Sequence, residues 1–294
     1  MRIFNVNKNI TNFIRDSLRA LLGIKIYNKL RFILTHKYYP SFSNPKTFSE
    51  KIQYRKFYED PNKYSKFADK LQVRDYIQDV VGGEFLVPLI LSSEKLTLSQ
   101  LTALPSKFVV KSSNGGGGVN VKVVQDKSKE DLHSLCEQFN RYLTLMPGKG
   151  IDELFYDIET PTVLVEELLE NKDSSILLDY KFHVFNNGEL ILLQINSEYN
   201  TPNCTKTLYD LDGNKYHIQF SKYKHGPSKI NLPQKFSDMV DMVTLLSKPF
   251  NYVRVDLFNV DGKIYFGEMT FCPASGWDKF ETYKDDLYLG NFWK

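Results

Sequence analysis

Cysteine is scarce in this sequence, and its three cysteines follow no metal-binding or disulfide pattern. Cys136, Cys204 and Cys272 are far apart, form no CxxC pair and have no histidine at zinc-ligand spacing. Free thiols in a reducing compartment are therefore expected, and neither a zinc site nor a disulfide framework is predicted.

Long apolar runs and a large excess of one charge are also missing. No segment approaches the roughly 18 apolar residues of a membrane span, and residues 1–40 lack the uninterrupted apolar core of a secretory signal. The formal net charge is only +3, which argues against nucleic acid as the main partner because duplex binding rests on many clustered basic residues. We therefore expect a cytoplasmic protein.

The N-terminal segment predicts two amphipathic helices separated near Gly23. Leu18, Leu21 and Leu22 fall on one helical face, and the segment after Gly23 contains the basic residues Lys25 and Lys29. The apolar face either packs on the rest of the protein or rests on a partner or the inner face of a membrane. The sequence leaves both interpretations open.

Helix and hairpin signals define the fold class. The capping-box pair Thr47 and Glu50 predicts a helix to about Tyr58, and residues 68–81 predict a second helix. Three hairpins are expected in the second half, with turns near residues 186–188, 212–213 and 261–262. Hairpins rather than βαβ units indicate antiparallel sheets, so the predicted fold class is α+β.

Four consecutive glycines, Gly115 to Gly118, lie between the predicted strands KFVVKS and VNVKVV. Without Cβ atoms this backbone can approach a ligand closely and direct several N–H groups at phosphate oxygens. The loop matches neither a P-loop nor a dinucleotide fingerprint, and a glycine turn without a ligand is the alternative. Lys111 ends the preceding apolar strand, where a cation needs an anionic partner, and a bound phosphate would provide one.

A carboxylate-bearing hairpin, NYVRVDLFNVDGKIYFGEMTF, carries the metal prediction. Asp256 and Glu268 share one face only if the hairpin register allows it, since side chains alternate across a strand. We predict a three-residue loop from Val260 to Gly262, with Gly262 left-handed, which brings the two carboxylates together. Two carboxylates without histidine or cysteine suit Mg²⁺. The alternative is a cross-strand Arg254–Glu268 ion pair on a solvated face.

Several segments together resemble the ATP-grasp superfamily, and within it the branch similar to the teichuronic acid biosynthesis protein TupA. The resemblance covers residues 45–289 and is carried, in order, by TFSEKIQ, ADKLQVRDY, FVVKSSNGGGG, VLVEELL, DYKFHVFNNGE, YVRVDLFNVDGKIYFGEMTFCPASG and DLYLG. It implies two antiparallel-sheet subdomains that clasp ATP, preceded by an N-terminal helical region. The corresponding boundaries are residues 1–60 for the helical region, 61–105 for a lead-in containing Lys70, and 106–168 and 169–294 for the subdomains.

The resemblance also implies ATP and Mg²⁺ as cofactors. Lys70 and Lys111 match the two lysines that contact the ATP phosphates. The flexible flap over those phosphates matches Asn114, Gly115, Gly116, Gly117 and Gly118. Further nucleotide contacts match the hinge and the strand after it, namely Glu166, Glu167, Leu168, Leu169, and Asp179 or Lys181.

Asp256 and Glu268 match the metal carboxylates of the family. Thr270 stands where many ATP-grasp enzymes have asparagine, so its coordination of magnesium is in doubt. Three further residues are expected near the reacting groups: Arg254 to stabilise an acyl phosphate, Ser275 to shape the acceptor side, and Lys206 to meet an anionic substrate.

The implied activity is a carboxylate–amine ligase that forms an amide through an acyl phosphate. The TupA-like branch points to assembly of a cell-surface polysaccharide or capsule, with a uronic acid as the carboxylate and an amino acid or small amine as the nucleophile. Two alternatives stay open. A sugar kinase would use Asp278 or Glu281 as its general base, and a nucleotide-binding subunit of glycan assembly would catalyse nothing.

Overall fold

The computed structural model describes residues 14–118, 120–173, 176–198, 201 and 203–294. Helix α1 covers residues 14–22 of this part of the chain. The helices that follow are α2 Ile24–His36, α3 Phe48–Tyr58, α4 Asn62–Ala68, α5 Val73–Val80, α6 Leu98–Ala103, α7 Leu132–Tyr142, α8 Pro147–Ile151, α9 Phe236–Ser247 and α10 Tyr283–Phe292. The strands are β1 Leu89–Ser93, β2 Phe108–Ser112, β3 Val121–Val124, β4 Val163–Glu166, β5 Asp179–Phe185, β6 Leu190–Ser197, β7 Thr205–Tyr209, β8 Tyr252–Val260 and β9 Lys263–Thr270.

The smaller sheet has four strands in the order β1-β4-β2-β3, and each neighbouring pair is antiparallel. One face packs on α6 and α7 through an apolar cluster that includes Leu101, Phe108, Val110 and Phe139, all fully buried. The glycine loop joins β2 to β3 at one end of this sheet. Strand β1 belongs to the sheet although it precedes the predicted boundary at residue 105, because it pairs with β4.

The larger sheet has five strands in the order β7-β6-β5-β8-β9, again with antiparallel pairs. Phe182, Val184 and Val255 on one face are fully buried in the main core, where they meet Met239 and Leu246 of α9. Alternation along each strand sends the intervening side chains to the opposite face, which carries charge. The α+β prediction with two antiparallel sheets is confirmed.

The β8–β9 hairpin corrects the predicted turn. Val260 pairs with Lys263 across a two-residue turn, in which Asp261 and Gly262 have φ of 50° and 85°. This turn alone would send Asp256 and Glu268 to opposite faces. The pairing register shifts by one residue between Leu257 and Asp256. As a result, Asp256 lies directly opposite Glu268 and the two side chains share a face. The three-residue loop is therefore wrong, whereas the left-handed Gly262 and the shared face of the carboxylates are confirmed.

Gly267 makes that register shift sterically feasible. It lies on β9 between Phe266, which pairs with Leu257, and Glu268, so it is the extra residue of a β-bulge. A Cβ at Gly267 would lie 2.9 Å from the Asp256 carbonyl oxygen and 3.1 Å from Phe258 Cε2. Only glycine fits this position without displacing a neighbour.

The helical region confirms some local predictions and shortens others. Helix α3 has the predicted capping box, in which Thr47 accepts from the Glu50 amide and Glu50 accepts from the Thr47 amide. The helix predicted over residues 68–81 forms only as α5, because α4 ends at Ala68 and a turn follows. The second arm of the hairpin predicted near residues 212–213 forms no strand, only an isolated bridge between Tyr209 and Lys215. Among the described residues, none of the helices has the length and apolarity to cross a membrane.

Candidate functional site

A row of polar side chains crosses the charged face of the larger sheet. Residues that pair directly across neighbouring strands point to the same face of a sheet. The register therefore aligns one side chain after another from β7 to β9, in the order Lys206, Asn196, Gln194, Lys181, Asp256 and Glu268. The predicted metal residues stand at one end of this row and Lys206 stands at the other.

Asp256 is the centre of charge at the β8–β9 end. Arg254 binds both of its carboxylate oxygens at 2.7 Å, and Lys181 Nζ lies 2.6 Å from Oδ2. Burial by itself would raise the pKa of Asp256, but the charges of Arg254 and Lys181 outweigh it and lower that pKa to about 2. Asp256 is therefore an anion at any physiological pH, as a ligand for a hard cation must be.

Glu268 and Thr270 complete this cluster. Arg254 Nη2 lies 3.1 Å from Glu268 Oε1 and donates to the Thr270 hydroxyl at 3.0 Å, and Thr270 donates to Glu268 over 3.2 Å. The Arg254–Glu268 ion pair expected as an alternative is thus present beside the carboxylate pair. Glu268 keeps 32% of its side chain exposed, compared with 2% for Asp256, so it is the carboxylate that a ligand from solvent can reach.

The donor set at this point fits Mg²⁺. Its atoms are carboxylate and hydroxyl oxygens, which hard cations prefer. Within the described ranges, no group of three or more histidine, cysteine, aspartate or glutamate side chains is arranged to hold a metal ion. A cation here would therefore rely on Asp256 and Glu268 and would complete its shell with water and substrate oxygens, as magnesium in phosphate sites does.

Asp179 and Lys181 lie at the N-terminal end of β5, next to Asp256. Lys181 contacts both Asp179 and Asp256. Burial and the nearby Asp256 charge raise the pKa of Asp179 to about 6, although Lys181 opposes them. Burial lowers the pKa of Lys181, but the charges of Asp256, Asp179 and Glu268 together outweigh it and raise that pKa, so Lys181 keeps its proton. Both residues that were predicted to contact the nucleotide therefore lie beside Asp256.

Lys70 connects the glycine loop to the carboxylates. Its amide donates to the Ser113 carbonyl at 2.9 Å, and its ammonium donates to the Gly115 carbonyl at 2.5 Å. Burial lowers the pKa of Lys70, and the charge of Glu268 partly offsets that effect. Lys70 thus lies where both sheets are close, within electrostatic reach of Glu268.

The glycine loop has the backbone shape that its sequence predicts. Gly115, Gly117 and Gly118 have φ between 69° and 76°, a region that side chains disfavour. Around Gly117 and Gly118 nothing lies within 4 Å of a built Cβ, so this part of the loop faces open space. Asn114, by contrast, is buried and its Oδ1 accepts from Ser112 Oγ at 3.1 Å, which fixes the start of the loop.

Lys111 has a protein partner that the sequence did not suggest. Its ammonium lies 2.6 Å from Glu166 Oε2, and Arg74 lies 3.2 Å from the other oxygen of the same carboxylate. Lys111 is therefore neither free in water nor dependent on phosphate for neutralisation. Lys111 and Arg74 bring two positive charges to one carboxylate, which leaves net positive charge beside the loop.

The residues predicted as a hinge follow β4 and lead to the larger sheet. Glu166 is buried and ends β4, whereas Glu167 is exposed and its amide donates to the Pro88 carbonyl at 3.0 Å. Leu168 and Leu169 are half-buried. This position between the two sheets agrees with a hinge, and the adenine contacts stay a prediction.

Ser275 and Lys206 lie away from the Asp256–Glu268 pair. Ser275 Oγ accepts from Lys56 at 2.8 Å, inside a turn where Ala274, Ser275 and Gly276 all have positive φ. Lys206 is buried and bound to Asp278, whose other oxygen accepts from Tyr223 at 3.2 Å. Burial lowers the pKa of Lys206 and Asp278 opposes that shift. Lys206 therefore lies at the β7 end of the sheet face, and Ser275 lies in the turn that follows β9.

Tyr156 lies beside the glycine loop, and the sequence did not predict a role for it at this site. It is buried just before β4, and a Cβ built on Gly116 would lie 3.0 Å from its hydroxyl oxygen. Burial, and then the charges of Glu153 and Glu268, raise the pKa of Tyr156, so the hydroxyl remains a neutral donor. It stands between the glycine loop and the carboxylates. No periodic pattern marks residues 147–157, so only the fold reveals it.

Comparisons with solved structures give ATP-grasp ligases. A D-alanine–D-alanine ligase from Helicobacter pylori is 17% identical, with a TM-score of 0.46 over 77% of this chain and 61% of that one. A Bacillus anthracis D-alanine–D-alanine ligase complexed with ATP is 15% identical, with a TM-score of 0.42 over 78% and 64%. This chain thus spans less than two thirds of these neighbours. No curated protein matches it.

A family model supplies the remaining comparison. The model describes TupA-like ATP-grasp proteins, and it matches residues 50–294. That range contains both sheets, the glycine loop, and all of the residues that were predicted to bind nucleotide or metal. Since the match extends over most of the sequence, the chain belongs to the TupA-like ATP-grasp family.

Proposed function

We propose that this protein is an ATP- and Mg²⁺-dependent ligase that joins a carboxylate to an amine through an acyl phosphate. The observation that carries the proposal is the opposition of two charged surfaces. Lys70 donates to the Gly115 carbonyl of the open glycine loop, and its ammonium lies within electrostatic reach of both Lys111 and Glu268, the residue that pairs with Asp256. Cations and a glycine loop on one side and carboxylates on the other suit a magnesium-bound polyphosphate.

The reaction has two steps. A carboxylate oxygen of the acceptor attacks the γ-phosphorus of ATP, the bond from that phosphorus to the β,γ-bridging oxygen breaks, and ADP leaves. The amine nitrogen then attacks the acyl carbon, phosphate leaves with the acyl oxygen, and the nitrogen loses a proton. Phosphoryl transfer of this kind depends on positioning and charge neutralisation more than on covalent protein chemistry.

The side chains of the cleft divide these tasks. Lys70 and the loop amides would hold the phosphates, and Asp256 with Glu268 would hold Mg²⁺, which neutralises charge that develops on the phosphate oxygens. Arg254 is fixed by its contacts with both carboxylates and would stabilise the acyl phosphate. The neutral Tyr156 hydroxyl, under Gly116, would donate a hydrogen bond to the transferred phosphoryl group.

The acceptor end of the face would lie toward Lys206 and Ser275. Strands β7 and β8 are three positions apart, or roughly 14 Å, which leaves room for a sugar between Lys206 and Arg254. Within the proposal the carboxylate comes from a uronic acid of a cell-surface polysaccharide precursor, and the amine from an amino acid or small amine. An anionic group elsewhere on that precursor would displace Asp278 from Lys206.

The test is ADP release in the presence of defined substrates. The protein is incubated with MgATP and a panel of uronic acids, alone and together with amines, and both ADP and the amide are measured. A ligase releases stoichiometric ADP and amide only when both substrates are present. ADP and a phosphorylated sugar from the sugar alone would instead identify a kinase, and the absence of ADP in all mixtures would contradict an enzymatic role.

A binding measurement separates a wrong substrate from a wrong site. MgATP at millimolar concentration should raise the melting temperature, because a ligand that binds only the folded state stabilises it. The same nucleotide without magnesium should give a smaller shift. If neither condition changes the melting temperature, the nucleotide site itself is incorrectly assigned.

A further inference from the structure

The N-terminal helices carry an apolar surface on their outer side. The inner side of α2 is formed by buried residues at four-residue spacing, namely Asn28, Phe32 and His36. The opposite side carries Ile26, Leu30 and Leu34, again at four-residue spacing, and these are 57%, 47% and 71% exposed. Leu21 in the preceding helix is 81% exposed. A contiguous exposed apolar face of this kind usually marks an interaction site.

The same segment is strongly basic, although the whole chain is nearly neutral. Six basic residues and one acidic residue lie between residues 14 and 40, whereas the formal net charge of all 294 residues is +3. Lys37 is exposed and Lys29 is half-buried at the border of the apolar face, whereas the Lys25 ammonium lies over the Tyr58 ring, 4.3 Å from its centroid. Basic side chains around an apolar helix face are complementary to an anionic lipid surface.

Specific contacts hold these helices against the rest of the protein. Arg19 Nη2 lies 2.5 Å from Asp152 Oδ1, and Asn28 donates to the other oxygen of that carboxylate at 3.1 Å. Arg31 stacks on Trp277 at 3.9 Å from the ring centroid. Asp152 follows the helix that contacts the glycine loop, and Trp277 follows the turn that holds Ser275. The outer face of the N-terminal helices is therefore held in a fixed orientation relative to the glycine loop and to the turn that contains Ser275.

We propose that the outer face of residues 14–37, named here the basic apolar face, docks the protein on an anionic membrane surface. The helices would lie flat, with Leu21, Ile26, Leu30 and Leu34 inserted at the headgroup boundary and the flanking lysines near lipid phosphates. The contacts to Asp152 and Trp277 would hold both ends of the cleft at a fixed distance from the bilayer. Such an arrangement suits an acceptor that is anchored in lipid.

The test is co-sedimentation of the full-length protein with vesicles. We expect binding to vesicles of phosphatidylcholine with 30% phosphatidylglycerol, weaker binding in 0.5 M salt, and little binding to phosphatidylcholine alone. The triple substitution Ile26→Ser, Leu30→Ser and Leu34→Ser should weaken binding at least tenfold. Lys29→Gln should weaken binding about fivefold on the anionic vesicles.

Two controls keep the result specific. Leu145→Ser removes a side chain that is 52% exposed outside the N-terminal helices, and it should leave vesicle binding unchanged. The triple variant should also keep the melting temperature shift caused by MgATP, which separates docking from nucleotide binding. The proposal is overturned if the wild-type protein binds no anionic vesicle, or if the triple variant retains full binding. It is equally overturned if the substitutions instead convert a dimer to a monomer, since the face would then join two copies of this chain.

Discussion

Glu268 and Asp256 are paired carboxylates with different surroundings. Asp256 neutralises Arg254 and Lys181 inside the protein, so its removal would leave buried cations without their partner. Glu268 is partly exposed, and its ion pair with Arg254 involves only one nitrogen of that guanidinium. A substitution at Glu268 therefore tests metal binding with less structural damage than a substitution at Asp256.

We predict that Glu268→Gln lowers ATP-dependent turnover by roughly 10²-fold or more, as the loss of one electrostatic contact to a transition state typically does. The additional thermal stabilisation that Mg²⁺ gives in the presence of ATP should disappear. Glu170→Gln, which removes an exposed carboxylate paired with Lys107, is the matched control and should preserve both properties. Full magnesium dependence in Glu268→Gln would contradict the assigned metal site.

Tyr156 offers a second test at the residue scale. We predict that Tyr156→Phe lowers kcat by about 10²-fold, with little change in the ATP concentration needed for half-maximal rate, because the hydroxyl would contact the group in transfer. Tyr76→Phe is the matched control, since its hydroxyl donates to the Leu246 carbonyl at 3.0 Å, away from the cleft. That control should lose some stability and keep its turnover. If Tyr156→Phe keeps its turnover while Tyr76→Phe loses it, the role given to Tyr156 is refuted.

At the scale of elements, a single bulge in β9 decides where the metal residues point. A two-residue turn and an uninterrupted ladder would put Glu268 on the core face, opposite to Asp256. The extra residue at Gly267 reverses the alternation once, and the carboxylates meet. A glycine inside a strand is a recognised sign of a bulge, so the sequence contained the signal.

We predict that Gly267→Ala destabilises the protein by about 1–3 kcal/mol, because the added methyl group meets the Asp256 carbonyl and the Phe258 ring. Magnesium affinity should fall as well, since the neighbouring Glu268 must move. Gly150→Ala adds the same methyl group where nothing lies within 4 Å, and it should be neutral or slightly stabilising. Denaturant unfolding measures both. An unchanged Gly267→Ala variant would exclude the tight packing described at the bulge.

For the molecule as a whole, a buried histidine couples stability to pH. Burial lowers the pKa of His36 from 6.5 to about 4, and its Nε2 donates to the Gly276 carbonyl at 3.0 Å. The unfolded chain therefore binds a proton that the folded chain refuses, and stability falls as pH decreases from 6.5 to 4. Asp286, with its pKa raised by burial to about 6, has the opposite sign and partly masks this loss.

The prediction is a pH-dependent difference between variants. His36→Gln keeps a donor for the Gly276 carbonyl and removes the titration, so it should gain stability relative to wild type as pH falls from 6.5 to 4. The gain should be on the order of 3 kcal/mol, at about 1.4 kcal/mol for each pKa unit. His133→Gln, at a side chain that is 73% exposed, is the control. A difference between His36→Gln and wild type that stays constant with pH would show that His36 titrates normally.

Local patterns predicted the parts of the fold that depend on neighbouring residues. The capping box of Thr47 and Glu50 gave the start of α3, and local strand signals gave the strands of both sheets except β1, which lies in a stretch bounded by prolines. The glycine run gave a loop with positive φ. Contacts between distant segments were harder to predict. The ion pair of Lys111 with Glu166 joins strands far apart in sequence, and Tyr156 reaches Gly116 from a segment without periodicity.

The sequence by itself determined the residue types of the site, the alternating strands that carry them and the family to which they belong. The residue types and strands follow from composition and short-range spacing, which each segment retains on its own, whereas the family follows from the resemblance of several segments in order. Only the tertiary structure decided which charges neutralise one another, how the bulge at Gly267 aligns Asp256 with Glu268, and that the apolar side of α2 faces outward. The physical reason is that register, burial and electrostatic pairing depend on atoms that distant parts of the chain bring together.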